Sequence, residues 1–126
     1  MMNDDLVLLY VEDEASIREE MVDILELDFE HIHVATNGQE GLEMFQKFHP
    51  DLIISDIQMP LMDGITMSQE ILSIDPEAKI ILTTAFNEQG YLEKAKEAGI
   101  KGYVNKPLNI NELFEQIEAV LASKKE

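Results

Sequence analysis

Cysteine is absent from the 126 residues, which rules out disulfides, thiolate chemistry and a zinc–sulfur site. Cations are scarce: nine lysines and arginines stand against 26 acids, a formal charge of −17. A surface of that sign repels nucleic acid and anionic membranes, so the sequence argues against direct DNA binding by this chain and against a membrane partner. The longest apolar runs are about six residues, far short of the ~20 needed to span a bilayer. The opening Met-Met-Asn-Asp-Asp has the wrong charge for a signal peptide. A cytoplasmic, reducing location is therefore the expectation. The apolar fraction of 45% supports a full core, and the length suits one domain that buries roughly two-thirds of its unfolded surface. No internal repeat or low-complexity segment interrupts residues 1–126, and residues 123–126 read as a tail or the start of a linker.

Strand and helix patterns alternate along the chain. Leu6 to Val11 is a continuous apolar run, the mark of a central strand buried on both faces. Glu14 to about Asp28 places Ile17, Met21, Ile24 and Leu25 at helical spacing. Ile32 to Thr36 reads as a short strand. Asn37 with Glu40 forms a capping box for a helix that Pro50 stops near Phe48. A strand from Leu52 to Asp56 follows, then a loop with Pro60, then a helix from about Ile65 to Ile74. Lys79 to Thr84 is a strand, Asn87 to Ala98 a helix closed by Gly99, and Gly102 to Asn105 a last short strand. Asn109 and Glu112 open a final helix with Leu113, Ile117, Val120 and Leu121 on one face. Five strands alternating with five helices predict a doubly wound α/β fold with a parallel sheet. Periodicity leaves the strand order open, and the flavodoxin-like 2-1-3-4-5 is the most economical.

Ligands of open α/β sheets bind at the carboxyl ends of the strands. Those ends carry Glu12 and Asp13 on the first strand, Asp56 on the third, Thr84 on the fourth and Lys106 after the fifth. Three crowded carboxylates raise each other's pKa unless a cation sits among them, and oxygen-only ligands point to Mg²⁺ or another hard ion. A lysine and a hydroxyl beside a metal-bound carboxylate make a cradle for a phosphoryl group. Singly, each residue has a bland reading: a cap for Glu12, Asp13 or Asp56, strand filler for Thr84, solvated surface for Lys106. Their convergence on one sheet edge favours the phosphoryl reading.

The chain resembles the receiver domains of two-component response regulators over nearly its whole length. The acidic pair Glu12-Asp13, the stretch from Asp56 through Met59-Pro60 to Gly64, the pair Thr84-Ala85, Tyr103 and the pair Lys106-Pro107 carry the likeness. The resemblance supplies the strand order. It implies that Asp56 accepts a phosphoryl group from a sensor histidine kinase or phosphotransfer protein. Asp13, Asp56 and the backbone carbonyl of Gln58 would hold Mg²⁺, and Glu12, where many members have Asp, would stand nearby or act through water. Lys106 and Thr84 would bind phosphoryl oxygens, and Thr84 moving inward would let Tyr103 turn from exposed to buried. The face of the fourth helix, fifth strand and fifth helix would then change for an output protein, a fused effector domain or a phosphorylation-dependent homodimer. The family is not enzymatic beyond self-phosphorylation and slow autodephosphorylation, which a bulky Phe86 would slow further. A cis Lys106-Pro107 bond would make the turn that aims Lys106 back at Asp56.

Competing classes weigh less. A haloacid-dehalogenase-like phosphatase needs a second Asp two residues beyond the nucleophile, where this chain has Gln58. A flavodoxin needs a phosphate-binding loop after the first strand, and Glu12-Asp13-Glu14 would repel the phosphate. A receiver-like scaffold that is never phosphorylated has no need of the intact acids and lysine. His31 and His33 share a strand face without a third metal ligand, and His49 reads as a loop residue.

Overall fold

The computed structural model describes residues 3–85, 89–106 and 108–122. Ten elements alternate: β1 (Asn3–Val11), α1 (Ala15–Leu25), β2 (Phe29–Ala35), α2 (Gly38–Phe48), β3 (Leu52–Asp56), α3 (Gly64–Ile74), β4 (Ile80–Thr84), α4 (Gln89–Glu97), β5 (Gly102–Asn105) and α5 (Ile110–Ala122). The strands form one sheet in the order β2-β1-β3-β4-β5, and every pairing is parallel. The expected fold class and order are both borne out. Strands β3 and β4 are buried at every position, which is why their sequences run apolar without alternation.

Each sheet face has its own core. On one side Leu9, Val11, Ile53 and Leu82 pack with Phe45, Ile65, Met67, Ile71 and Ala95, contributed by α2, α3 and α4. On the other, Leu8, Tyr10, Ile54 and Val104 pack with Met21 and Leu25 of α1 and with Leu113 and Ile117 of α5. The alternation of side chains along a strand thus sorts the chain into two layers around the sheet.

Several boundaries differ from the sequence reading. Strand β2 begins at Phe29 rather than Ile32, because Phe29 is buried and pairs across from Asn3, while the polar Glu30 and His31 hide the strand pattern. Helix α1 ends at Leu25 rather than near Asp28; the N–H groups of Leu27 and Asp28 donate to Ile24 and Leu25 in tight turns of 3.1 and 3.0 Å that swing the chain into β2. Ile17, assigned above to the buried stripe, is exposed, and the stripe reduces to Met21 and Leu25. Asn37 caps α2 as expected, its Oδ1 accepting from the Glu40 N–H at 2.8 Å. The Glu40 carboxylate, however, reaches back to Thr36, which offers both an N–H at 2.7 Å and a hydroxyl at 2.8 Å. His49 is the left-handed C-cap of α2, and His33 stacks on Phe48 at 3.9 Å, so two of the three histidines have structural work. Phe86, the start at Asn87 of the fourth helix and the Lys106-Pro107 peptide bond fall on or next to residues outside those described.

Candidate functional site

Strand register brings the site together. Val11 pairs with Ser55, so one step further along Glu12 lies beside Asp56, and Asp56 in turn pairs with Thr83. Glu12 prolongs β1 by one bond, its N–H donating to the Ala35 carbonyl at 3.0 Å. The side chain that follows is nearly as buried as the leucines behind it, at 2% exposure. Its Oε2 accepts from the Glu14 N–H at 3.2 Å, and its carbonyl accepts from Arg18 Nη1 at 2.8 Å. Asp13 is exposed at the mouth.

Glu12, Asp13 and Asp56 each present a ligand atom, and all of these atoms lie within 4.8 Å of one another. Burial pushes the Glu12 carboxyl up to about 7, and the charges of Asp56 and Asp13 add to the push. The Glu14 N–H and Lys106 pull the other way. The hydroxyl of Tyr10, one layer below on the same face, is raised above its usual range first by burial and then by Glu12 and Asp56. Such crowding of hard oxygen donors fits a divalent cation of the Mg²⁺ type.

Asp56 is itself held at one oxygen. Its Oδ1 accepts from Lys106 Nζ at 2.8 Å and from the Ile57 N–H at 2.8 Å. Lys106 reaches it because its own N–H continues the β4–β5 ladder to the Thr84 carbonyl at 2.7 Å. Thr84 is buried, and its hydroxyl donates to Asn105 Oδ1 at 3.2 Å. Tyr103 is half-buried against the core of α2, α3 and α4, with its hydroxyl bonded to the Ile100 carbonyl. Gln58 is an exposed residue of the loop beyond Asp56.

That loop is pinned at both ends by glycines. Gly64 donates to the Ile57 carbonyl at 2.7 Å, and a Cβ there would stand 2.2 Å from the Asp56 carbonyl oxygen. Gly38, at the start of α2, donates to the Met62 carbonyl at 3.0 Å, and its Cβ would stand 2.2 Å from that oxygen. Between the pins, Met62 N–H donates to the Pro60 carbonyl at 2.7 Å, which closes a tight turn at Leu61 with φ of 69°. A leucine in that region of backbone space carries strain of the kind found beside functional sites.

The structure therefore gathers Glu12, Asp13, Asp56 and Lys106, sets Thr84 at the end of β4, and places Tyr103 within β5, two residues before its last pair. Sequence reasoning did not single out Tyr10, Arg18, Gly38 or Asn105 for the site. Tyr10 was legible only as two positions before Glu12 on a strand, and Arg18 as the single arginine of the chain. Nothing local in the sequence ties Gly38 to Met62.

Among the described residues, no helix is long and apolar enough to cross a membrane. Comparison with known proteins agrees with this geometry. The family described as "Response regulator receiver domain" matches residues 8–118. The chemotaxis protein CheY of Halobacterium salinarum is 37% identical over 116 residues, covering 92% of this chain and 97% of that protein. The transcriptional regulatory protein PdtaR of Mycobacterium tuberculosis is 38% identical over 120 residues, 94% of this chain but 58% of that protein. A chain of the CheX–CheY–BeF3–Mg²⁺ complex from Borrelia burgdorferi is similar in fold, with a TM-score of 0.86 at 25% identity over 94% of this chain and 90% of that one. The chain belongs to the response regulator receiver domains of two-component signalling.

Proposed function

We propose that this receiver domain accepts a phosphoryl group on Asp56 from a phosphohistidine of a sensor kinase or phosphotransfer protein, as in a phosphorelay. The observation that carries the reading is the pairing of a buried strand-end carboxylate with Lys106 Nζ at 2.8 Å beside two further acids. Oδ1 of Asp56 is occupied by Lys106 and the Ile57 N–H, so Oδ2 is the attacking oxygen. It forms the O–P bond of an acyl phosphate as the P–N bond to the donor imidazole breaks, and the electron pair leaves with that imidazole. Lys106 then moves its ion pair from the carboxylate to a phosphoryl oxygen, and the Thr84 hydroxyl turns to another. Asp13, Asp56 and the Gln58 carbonyl would hold Mg²⁺, with Glu12 nearby or acting through water, and the ion would supply neutralisation of the oxygen charge during transfer.

Turnover of a separate substrate is not part of this reading. The place two residues beyond the acceptor is Gln58, whose amide is far too weak an acid to serve as a general acid. The working location is the cytoplasm, where the phosphodonor chemistry resides. The output is a conformational change of the α4, β5 and α5 face, read by a separate protein, by a fused effector domain or by a second receiver. The relative crystallised with CheX, BeF3 and Mg²⁺ supports both the metal and a protein partner as classes.

Incubation with acetyl phosphate and Mg²⁺ tests the reading. One acid- and base-labile phosphoryl group should appear, located by mass spectrometry at Asp56, and chelation of the metal or Asp56→Asn should abolish it. Labelling that survives Asp56→Asn, or that moves to a histidine, would falsify the assignment.

A further inference from the structure

Thr84 and Asn105 face each other across the β4–β5 pairing, the last pair of that ladder. The pair Leu82 and Tyr103 lies two residues earlier on both strands, and so on the same face. Thr84 is buried at 3% exposure, while Asn105 is open to solvent. The Thr84 hydroxyl owns a single proton, and that proton is committed to Asn105 Oδ1 at 3.2 Å. In its buried setting, giving up this acceptor leaves the hydroxyl unsatisfied until another acceptor arrives.

We infer that Asn105 is a positioning residue that holds the Thr84 hydroxyl turned away from Asp56 until a phosphoryl oxygen outbids it. The inference rests on the reading of Asp56 as phosphoacceptor and goes beyond it by naming what keeps the resting state at rest. The backbone does not need to move for the exchange. Lys106 N–H stays on the Thr84 carbonyl at 2.7 Å, and rotation about χ1 carries the hydroxyl between staggered positions. Because the same face carries Tyr103 two residues before Asn105, that rotation changes the space beside the tyrosine ring. Asn105 thereby sets how far the resting population leans from the phosphoryl-facing state.

The test measures two things, each in the wild-type and the Thr84→Val backgrounds. The first is the affinity for beryllofluoride in the presence of Mg²⁺. The second, which applies only where Thr84 is present, is the χ1 population of Thr84 from NMR couplings in the metal-free protein. Asn105→Val removes the acceptor and keeps a strand-favouring side chain. It should tighten beryllofluoride binding by about fivefold, the weight of one neutral hydrogen bond, and shift the Thr84 rotamer in the metal-free protein. Asn105→Asp keeps an acceptor in place and should retain the resting rotamer. In the Thr84→Val background Asn105→Val should have no effect on affinity, since the two act through one bond. An unchanged Thr84 rotamer, or an equal gain in affinity with Thr84→Val, overturns the inference. If the wild type fails to bind beryllofluoride at all, the reading of Asp56 falls, and the rotamer populations alone decide the role of Asn105.

Discussion

Glu12 shows what happens when a carboxylic acid is placed where a core residue would go. Its pKa rises from 4.5 to about 7 in the folded chain, so between those values the folded state holds a proton that the unfolded state releases. The stability this contributes is complete below about pH 4.5 and is lost as the pH rises through about 7, an effect on the order of 3 kcal/mol. Metal-free wild type should therefore lose stability between about pH 5 and about pH 8, and Glu12→Gln should flatten that loss and be the more stable protein at the upper end. Urea melts at a series of pH values check this, and parallel profiles for the two proteins would refute it. Asp56→Asn should gain less than Glu12→Gln, because it also gives up the 2.8 Å ion pair with Lys106. The acids of the site were legible in the sequence because each one ends a strand pattern. Which of them bears the burial was not. Glu12 and Asp13 are neighbours in the chain, and only the extra ladder bond from Glu12 to Ala35 turns the first inward and leaves the second at the mouth.

Helices α4 and α5 flank the same edge of the sheet with unequal grips. Helix α5 has 13 residues and buries Leu113 and Ile117 completely. Helix α4 has nine, and among its described side chains the fully buried one is the methyl of Ala95. At ~25 cal/mol per Å² of apolar area, α4 is the more weakly held element. Amide hydrogens of residues 91–97 should accordingly exchange well before those of residues 113–120, and equal protection in the two helices would contradict the comparison. Gly90 loosens α4 further: a Cβ there would meet nothing within 4 Å. Gly90→Ala should thus stabilise the chain by about 0.5–1 kcal/mol and slow exchange in α4. If the looseness serves the switch, the same change should weaken the response of α4 to beryllofluoride, which the exchange experiment reads directly. Helix positions were readable from the 3.6-residue spacing and from Asn37, Gly99 and Asn109. The ends that turn into β2 were not, because Glu30 and His31 look like loop and Leu27, exposed on the surface, looks like helix core. Solvent-facing edge strands and turns obey the path of the chain more than the hydrophobic pattern.

Charge is divided unevenly over the molecule. Residues 79–126 contain seven of the nine basic and seven of the 26 acidic residues, so the whole formal charge of −17 falls on residues 1–78. In the sheet those residues supply β2, β1 and β3 with α1, α2 and α3. Self-repulsion is therefore concentrated on one half, and added salt should relieve it. Raising NaCl from about 0.05 M to about 0.5 M should lift the melting temperature of the metal-free protein by roughly 3–5 °C, equivalent to about 1 kcal/mol. Neutralising Glu19, Glu20 and Asp23 together should shrink that response, and a melting temperature that falls with salt would show that attractive pairs outweigh repulsion. On its acidic side the acceptor is clamped by backbone contacts through Gly64 and Gly38 that leave no room even for a methyl group. Towards β4 and β5 it is tied by a side chain, Lys106, beside the side-chain bond of Thr84 to Asn105. If Asp56 is the phosphoacceptor, a disturbance there would meet an anvil on one flank and a hinge on the other, and the domain would act as a rectifier that passes strain towards α4 and α5 rather than towards α2 and α3.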